Sequence, residues 1–146
     1  MYATTQDIVD LHGADFLLMV AARGNDVSLA DDMTAAAIND ALGDATSECD
    51  TYLATRYMVP IAPVPRIIRN HTINMAVYHL ASTADRMTEI IRERYKNAVN
   101  YLKDIAAGRA NLPLGDAGVG DGSTSQAAPE LVSIESNDAQ FKRGGW

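Results

Sequence analysis

Three carboxylates stand one helical turn apart in the middle of the chain, at Asp40, Asp44 and Glu48. Hard divalent cations take several oxygen ligands, so such a column could hold a metal ion. The protein could then be an enzyme that uses a carboxylate-bound metal, and changing Asp44 to Asn would abolish tight binding of the ion. Nothing else in the sequence completes a metal site. A solvated helix face, or one that meets a basic neighbour, explains the column more simply, because like charges at this spacing repel by only about 0.2–0.5 kcal/mol per pair. We therefore predict no metal site.

The residues that could supply catalytic groups are isolated from one another. His71 and His79 lie in one apolar stretch that contains neither a nucleophile nor a carboxylate, so we predict histidines held by hydrogen bonds in a helical core. Cys49, the single cysteine, excludes an internal disulfide and a zinc site of paired cysteines, and is predicted to be a small buried residue. The stretch GVGDGS lacks the spacing and the lysine of a phosphate loop. We predict no catalytic residue and no cofactor.

Basic side chains concentrate in the middle of the chain, at Arg66, Arg69, Arg92, Arg94 and Lys96. Such a cluster could follow the phosphates of a nucleic acid. A sequence pI near 4.7 argues against a dedicated nucleic-acid binder, because affinity for DNA depends on net positive charge at the contact. A solvated face is the simpler interpretation of these charges.

The charges are segregated along the sequence. Residues 1–55 contain ten acidic residues and one basic residue, whereas residues 56–109 contain nine basic and four acidic ones. This asymmetry indicates a molecule with opposite electrostatic faces. Either the two segments pack against each other, or the acidic face of one copy meets the basic face of the next. The sequence leaves both alternatives open.

The elements that position these residues are predicted to be helices. Thr4 and Asp7 resemble a capping box, and Gly13 ends the short helix that they open. A second short helix runs from about Ala14 and ends before Gly24. No stretch approaches 18 uninterrupted apolar residues, and the first residues lack the pattern of a signal peptide, so we expect neither a membrane span nor a secretory signal.

Longer helices follow. Ser28 and Asp31 form a second apparent capping box, which opens a helix reaching about Tyr57 with one apolar stripe. The stretch RYMVPIAPVP then holds three of the five prolines, so helix cannot continue and a stiff extended connector is predicted. A nearly uncharged helix at about 66–82 should be central and buried. A last amphipathic helix is predicted from about Thr83 to Ala107.

The composition changes after Arg109, which divides the chain into a predicted helical bundle domain, 1–109, and an extended arm, 110–146. The arm begins rich in Gly, Ser and Ala, as flexible linkers do, and the stretch ELVSIES could form a short strand. Ordering its residues would cost roughly 40–70 kcal/mol of backbone entropy. Its few apolar side chains cannot offset that alone, so an ordered arm needs partner chains. The predicted anchors are Leu131, Val132, Ile134, Phe141, Lys142, Arg143 and Trp146.

Three stretches resemble the head–tail connector proteins of Mu-like tailed bacteriophages: MYATTQDIVDLHG, ATSECDTYLATRYMVPIAPVPRIIRNHTINMAVYHL and RYKNAVNYLKDIAAGRANLPL. The resemblance covers about residues 1–114, and the short aromatic C-terminus is also similar to that of the family. The stretch YLATRYMVPIAPVP with the uncharged helix after it is the most specific part.

This resemblance implies an all-α bundle of about four to five helices that forms a homo-oligomeric, dodecameric ring beneath the portal protein. Such an adaptor does no chemistry; it extends the DNA channel and presents a surface to the tail or a stopper protein. It implies location in the neck of the virion, after assembly in the host cytoplasm. DNA would only pass through, and acidic residues would keep it from adhering, with Asp40, Asp44 and Glu48 as candidates for facing the channel. The alternative is a DNA-binding helical module that acts in packaging through Arg66, Arg69, Arg92 and Arg94.

Overall fold

The computed structural model describes residues 1–114, and within this part it contains five α helices and no β strand. In chain order these are α1 (Thr5–His12), α2 (Ala14–Ala21), α3 (Asp32–Leu53), α4 (Arg66–Thr83) and α5 (Glu89–Ala106). The prediction of a small all-α bundle is confirmed. None of the described helices is both long and apolar enough to cross a lipid bilayer.

The two short helices α1 and α2 meet at a single glycine. The predicted capping box is present: the Asp7 N–H donates to Thr4 Oγ1 at 3.2 Å, and the Thr4 N–H donates to Asp7 Oδ2 at 2.8 Å. The hydrogen bonds from Thr4 lower the pKa of the Asp7 carboxyl. Gly13 has a φ of +89°, in the left-handed region that favours glycine, so the chain can turn sharply from α1 into α2.

The start of α3 differs from the prediction. The Asp31 carboxylate accepts a hydrogen bond from the Ser28 N–H at 2.8 Å, so it stabilises the preceding loop and does not cap the helix. The first turn is capped instead by Asp26, whose Oδ2 accepts from the Thr34 N–H at 3.0 Å. The helix therefore begins at Asp32, and the predicted capping box at residues 28 and 31 is wrong.

The proline-rich segment separates α3 from α4 as predicted. α3 ends at Leu53, a few residues earlier than expected, and residues 54–65 are not helical. The Val59–Pro60 and Ala62–Pro63 peptide bonds are cis. Pro65 directly precedes α4, where its missing N–H costs no helical hydrogen bond. This non-helical segment connects α3 to α4.

The start of α5 also lies later than predicted. Residues 84–88 form a turn between α4 and α5, so the helix does not run on from Thr83. Thr88 is its N-cap, with a side-chain oxygen that accepts from the Ile91 N–H at 3.3 Å. A threonine in this role satisfies one of the first-turn amides, which fixes the start of the helix at Glu89.

The centre of the bundle is formed by α3, α4 and α5, while α2 packs on α3 and α4 and α1 packs on α2. α4 is buried along much of its length, as the scarcity of charge in its sequence predicted. Burying one large apolar side chain stabilises the fold by about 1.5–3 kcal/mol. The largest fully buried side chains are Ile8, Leu17, Val20, Ile38, Leu42, Leu53, Ile68, Ile73, Met75, Leu80, Leu102 and Ile105.

Tyr2 fixes the start of the chain to the bundle, a role that the sequence did not reveal. Its ring is buried, its hydroxyl donates to the Asp50 carboxylate, and the same oxygen accepts from the Ile61 N–H at 3.0 Å. Its own N–H donates to Thr46 Oγ1 at 3.3 Å. Burial, followed by the hydrogen bond with Asp50, raises the pKa of the Tyr2 phenol. One aromatic residue thereby joins the chain start, α3 and the proline segment.

The residues after α5 still contact the bundle as far as the structure describes them. Leu112 is buried, and its N–H donates to the Tyr57 hydroxyl at 3.1 Å. The Arg56 guanidinium donates to the Ala110 carbonyl at 3.2 Å. The stretch 110–112 therefore packs against the proline segment. The remainder of the predicted arm, from residue 115 on, lies outside the described residues.

Candidate assembly surfaces

Glu48, the last of the three predicted channel carboxylates, lies at a junction of three helices. Its Oε1 accepts a hydrogen bond from the Tyr95 hydroxyl of α5 at 2.7 Å, and its Oε2 lies 3.2 Å from His79 Nε2 of α4. Tyr95 also stacks on Tyr78, with ring centroids 3.9 Å apart. Burial and the hydrogen bond with Glu48 raise the pKa of Tyr95. We call Glu48, His79 and Tyr95 the three-helix junction; it ties α3 to both of its neighbours.

Asp40 and Asp44 have a different environment, although they precede Glu48 on the same helix. Both side chains are exposed, and neither forms an ion pair with any described residue. They line one side of an open cavity of about 230 Å³, whose other side is formed by Arg23, His79 and Thr83. We call Asp40 and Asp44 the acidic face of α3.

Arg23, the only basic residue of the first 55, contacts the ends of two helices and no carboxylate of residues 1–114. Its guanidinium donates to the Ala21 carbonyl at 2.9 Å and to the Thr83 hydroxyl at 2.7 Å, with a longer contact of 3.4 Å to the Leu80 carbonyl. Cations are favourable at the carboxyl ends of helices, where carbonyl groups lack helical partners. Arg23 therefore joins the ends of α2 and α4 and forms no ion pair with Asp40 or Asp44.

A row of cations lies on α5. Arg92, Lys96 and Lys103 are all exposed, and their spacing of four and seven residues places them on one side of the helix. Arg92 pairs with Glu89 one turn earlier at 2.8 Å, whereas neither lysine forms an ion pair with a described residue. We call Arg92, Lys96 and Lys103 the basic face of α5.

Packing of the acidic and basic segments leaves most of their charges unpaired within the described chain. Three ion pairs involve a lysine or arginine there: Arg69 with Asp7 at 3.8 Å, Arg92 with Glu89, and Arg109 with Asp104 at 2.5 Å. Among them, the first alone joins residues 1–55 to residues 56–109, and it is long. The first of the two alternatives left open by the sequence, mutual neutralisation within one chain, therefore accounts for little of the segregation.

The arginines proposed for DNA binding do not share one surface environment. Arg66 and Arg69 line a groove of about 330 Å³ between α1 and α4, opposite Asp7 and Asp10. Arg94 lies on α5 with its guanidinium 3.4 Å from His12 Nδ1. Carboxylates in the groove oppose phosphate binding there, because they repel the same charge that the arginines attract.

The isolated residues considered for chemistry are held in the core. Cys49 is fully buried beside the Thr72 hydroxyl, 3.3 Å away, as predicted, and burial raises the pKa of its thiol to about 11. A thiol with a raised pKa is a poor nucleophile because little thiolate forms. His71 differs from the prediction: its buried Nδ1 has no hydrogen-bond partner among the described residues, and its ring packs on Tyr101 with centroids 4.7 Å apart. Residues 1–114 contain no group of three potential ligands that could hold a metal ion.

Comparison with known proteins gives these surfaces a context. A family model described as Bacteriophage Mu, Gp36 matches residues 2–130. The chain belongs to this Gp36 family. "Mu-like prophage FluMu protein gp36" of Haemophilus influenzae is 33% identical over 81 residues, which cover 56% of this chain and 56% of that relative. "Gene product J" of Escherichia phage Mu is 31% identical over 111 residues, which cover 74% of this chain and 72% of the phage Mu protein.

The Gp36 family match extends over all five helices and includes both charged faces. The predicted arm anchors lie beyond the match and outside the described residues; they are Leu131, Val132, Ile134, Phe141, Lys142, Arg143 and Trp146. Sequence reasoning named the acidic face of α3, but it placed Glu48 on the same surface and did not single out Lys103. The i, i+4, i+11 spacing of Arg92, Lys96 and Lys103 is the signal that could have identified the basic face.

Proposed function

We propose that this Gp36-family protein is a structural component of a Mu-like phage particle, a head–tail adaptor that forms a ring under the portal, extends the DNA channel and links capsid to tail. The observation that carries the proposal is the family match over residues 2–130, which spans the whole described bundle. The protein would join the neck of the virion after assembly in the host cytoplasm.

The separated charges support self-assembly. Subunits of a ring contact each other head to tail, so each copy needs two different surfaces that complement one another. The acidic face of α3 and the basic face of α5 are two such surfaces on one chain. A dodecameric ring, with the portal on one side and the tail or a stopper protein on the other, is the assembly that we propose.

The proposed channel needs a wall to which DNA does not adhere. An overall charge of −7 suits that purpose, because DNA affinity comes mainly from cations that contact phosphates. Of the three carboxylates predicted to face the channel, Glu48 is engaged in the three-helix junction. Asp40 and Asp44 are exposed, and two positions in a ring suit them: the channel wall or the contact with the next subunit.

The arm supplies a further test of the proposed role. Phe141 and Trp146 are proposed to anchor it on the portal or on an adjacent subunit. Deleting residues 131–146 should leave a folded monomer that fails to join the portal. Circular dichroism would check the fold, and co-sedimentation with portal rings would measure joining. Normal joining by the shortened chain would refute the anchoring role.

The function itself is tested by removing the gene from the phage or prophage that encodes it. We expect filled heads and separate tails to accumulate, and the protein supplied in trans to restore joined particles that contain it. Mass spectrometry of purified particles would measure its incorporation, and negative-stain images would count joined heads. Joined, infectious particles that lack the protein would contradict the adaptor role.

The competing proposal is a DNA-binding module that acts in packaging through Arg66, Arg69, Arg92 and Arg94. It predicts that the free protein binds duplex DNA with an affinity that falls steeply as salt rises, and that replacing these arginines removes binding. The adaptor proposal predicts no such binding. A salt titration of fluorescent DNA with the full chain separates the two.

A further inference from the structure

The basic face of α5 is a helix face without a partner in the described chain. Arg92, Lys96 and Lys103 are exposed, and Val99 lies on the same side of the helix between the two lysines. Neighbouring cations one turn apart repel each other, so the face is more favourable when opposite charge lies against it. Among the described carboxylates, Glu89 alone pairs with it, and its contact with Arg92 is an exposed pair within one turn of helix.

The acidic face of α3 has a matching pattern. Asp40 and Asp44 are four residues apart, as Arg92 and Lys96 are on α5, so the two charges in each of these pairs are separated by about 6 Å along their helix. Both aspartates can therefore form ion pairs at once, one with Arg92 and one with Lys96, when α3 of one copy lies beside α5 of another. Met33 and Ala37 continue the same side of α3 towards its start, and Met33 is 61% exposed.

The neighbouring charges do not cancel either face. Arg23 borders the cavity beside Asp40 and Asp44, but its guanidinium is directed to carbonyl oxygens at the ends of α2 and α4. His79 borders the same cavity and contacts Glu48. The two faces thus remain complementary in charge, and Asp40 and Asp44 have the same spacing as Arg92 and Lys96. Among the described residues, the one ion pair that involves either face is Arg92 with Glu89.

We propose that the basic face of α5 binds the acidic face of α3 of a second copy of this chain. The proposal rests on the self-assembly part of the proposed function and adds which surfaces form the contact. Each exposed pair is individually weak, so the contact gains strength from repetition, as every copy in a closed assembly makes it. Asp40 and Asp44 are then contact residues and do not line the channel.

Charge exchange between the two faces tests the contact. The full-length chain would be prepared as an acidic-face variant, D40K/D44K, and a basic-face variant, R92E/K96E. We expect each variant alone to self-associate roughly tenfold more weakly than the wild type, because like charges then face each other, and an equal mixture to recover association. Sedimentation velocity over a concentration series measures both effects, and circular dichroism verifies the fold of each variant.

A control variant, D10K/D15K, changes the net charge as much as D40K/D44K does but alters exposed residues on α1 and α2, outside both faces. It should associate as the wild type does. The proposal is overturned if the control loses association equally, if the mixture does not recover it, or if the wild-type chain stays monomeric at every concentration.

Incorporation into particles separates this contact from the adaptor role. If the acidic-face variant enters the neck as well as wild type does, the contact is wrong and the adaptor role stands. If the wild-type protein is absent from particles yet charge exchange still controls self-association, the adaptor role is wrong and the contact stands. Loss of incorporation by each variant, with recovery when both are supplied together, supports both.

Discussion

Glu48 and Asp44 are neighbours on one helix, one turn apart, and the structure uses them in opposite ways. Glu48 enters the three-helix junction, where a tyrosine and a histidine of the same chain contact it. Asp44 stays exposed and has no ion pair with a described residue. A partly buried carboxylate thus obtains its partners when the chain folds, whereas an exposed one remains available to another molecule.

The same contrast holds for the wider molecule. Tyr2, Asp50 and Ile61 form a hydrogen-bonded group that holds the start of the chain against the bundle. Arg92 and Lys96 lie on an exposed face of α5, so replacing their side chains should change the free energy of unfolding of the monomer little. Substitutions at the first group should therefore change stability, and substitutions at the second should change assembly.

The largest effect is expected from Tyr2→Ala, which removes the contacts that hold the start of the chain against the bundle. Loss of a buried aromatic ring and of its hydroxyl contacts should reduce the free energy of unfolding by about 3–5 kcal/mol. Urea denaturation followed by circular dichroism measures this change. Gln6→Ala, at an exposed position nearby, is the control and should change stability by less than about 0.5 kcal/mol. Equal effects of the two substitutions would show that the anchor contributes nothing.

A smaller effect on the free energy of unfolding should distinguish Glu48 from Asp44. Glu48→Ala leaves the Tyr95 hydroxyl without its acceptor and should cost about 1–3 kcal/mol of unfolding free energy. Asp44→Ala should change it by less than about 0.5 kcal/mol. The same denaturation measurement applies to both variants. A larger loss from Asp44→Ala than from Glu48→Ala would reverse the comparison and refute it.

The smallest effect concerns pH. Burial lowers the pKa of His71, and burial together with Arg94 lowers that of His12, so the unfolded chain binds these protons more readily than the folded one. Their contribution to stability is present above the unfolded histidine pKa of about 6.5 and is lost as pH falls through it towards the lowered folded values. Unfolding free energy should thus decline from about pH 7 to pH 5. His71→Phe should make this decline shallower, and an unchanged slope would exclude His71 as a cause.

Much of the fold followed from local patterns, while the partners of individual side chains did not. Gly13, the prolines and the apolar stripes predicted the helices, because each acts through the backbone or through helical periodicity. Asp31 looked like half of a capping box, but Asp26 caps α3 since the shape of the preceding loop decides which carboxylate reaches the first turn. Loop conformation is not encoded in spacing.

The sequence identified the three carboxylates of α3 but not their different surroundings, and helix geometry explains why. An i, i+4 column turns by about 40° around the helix at each step, so Glu48 is displaced by about 80° from Asp40. That displacement brings Glu48 to α4 and α5, whereas Asp40 remains outside. Spacing alone grouped the three carboxylates; the position of the neighbouring helices separated them. The contact of His71 could not be predicted from spacing either, because its packing on Tyr101 depends on how α5 lies against α4.

The adaptor role is tested by imaging the neck of assembled particles. We expect a closed ring of this protein between portal and tail, with the acidic face of α3 in each copy against the basic face of α5 in the next. Absence of the protein from the particle, together with salt-sensitive DNA binding by the free chain, would contradict the adaptor role and favour the packaging alternative.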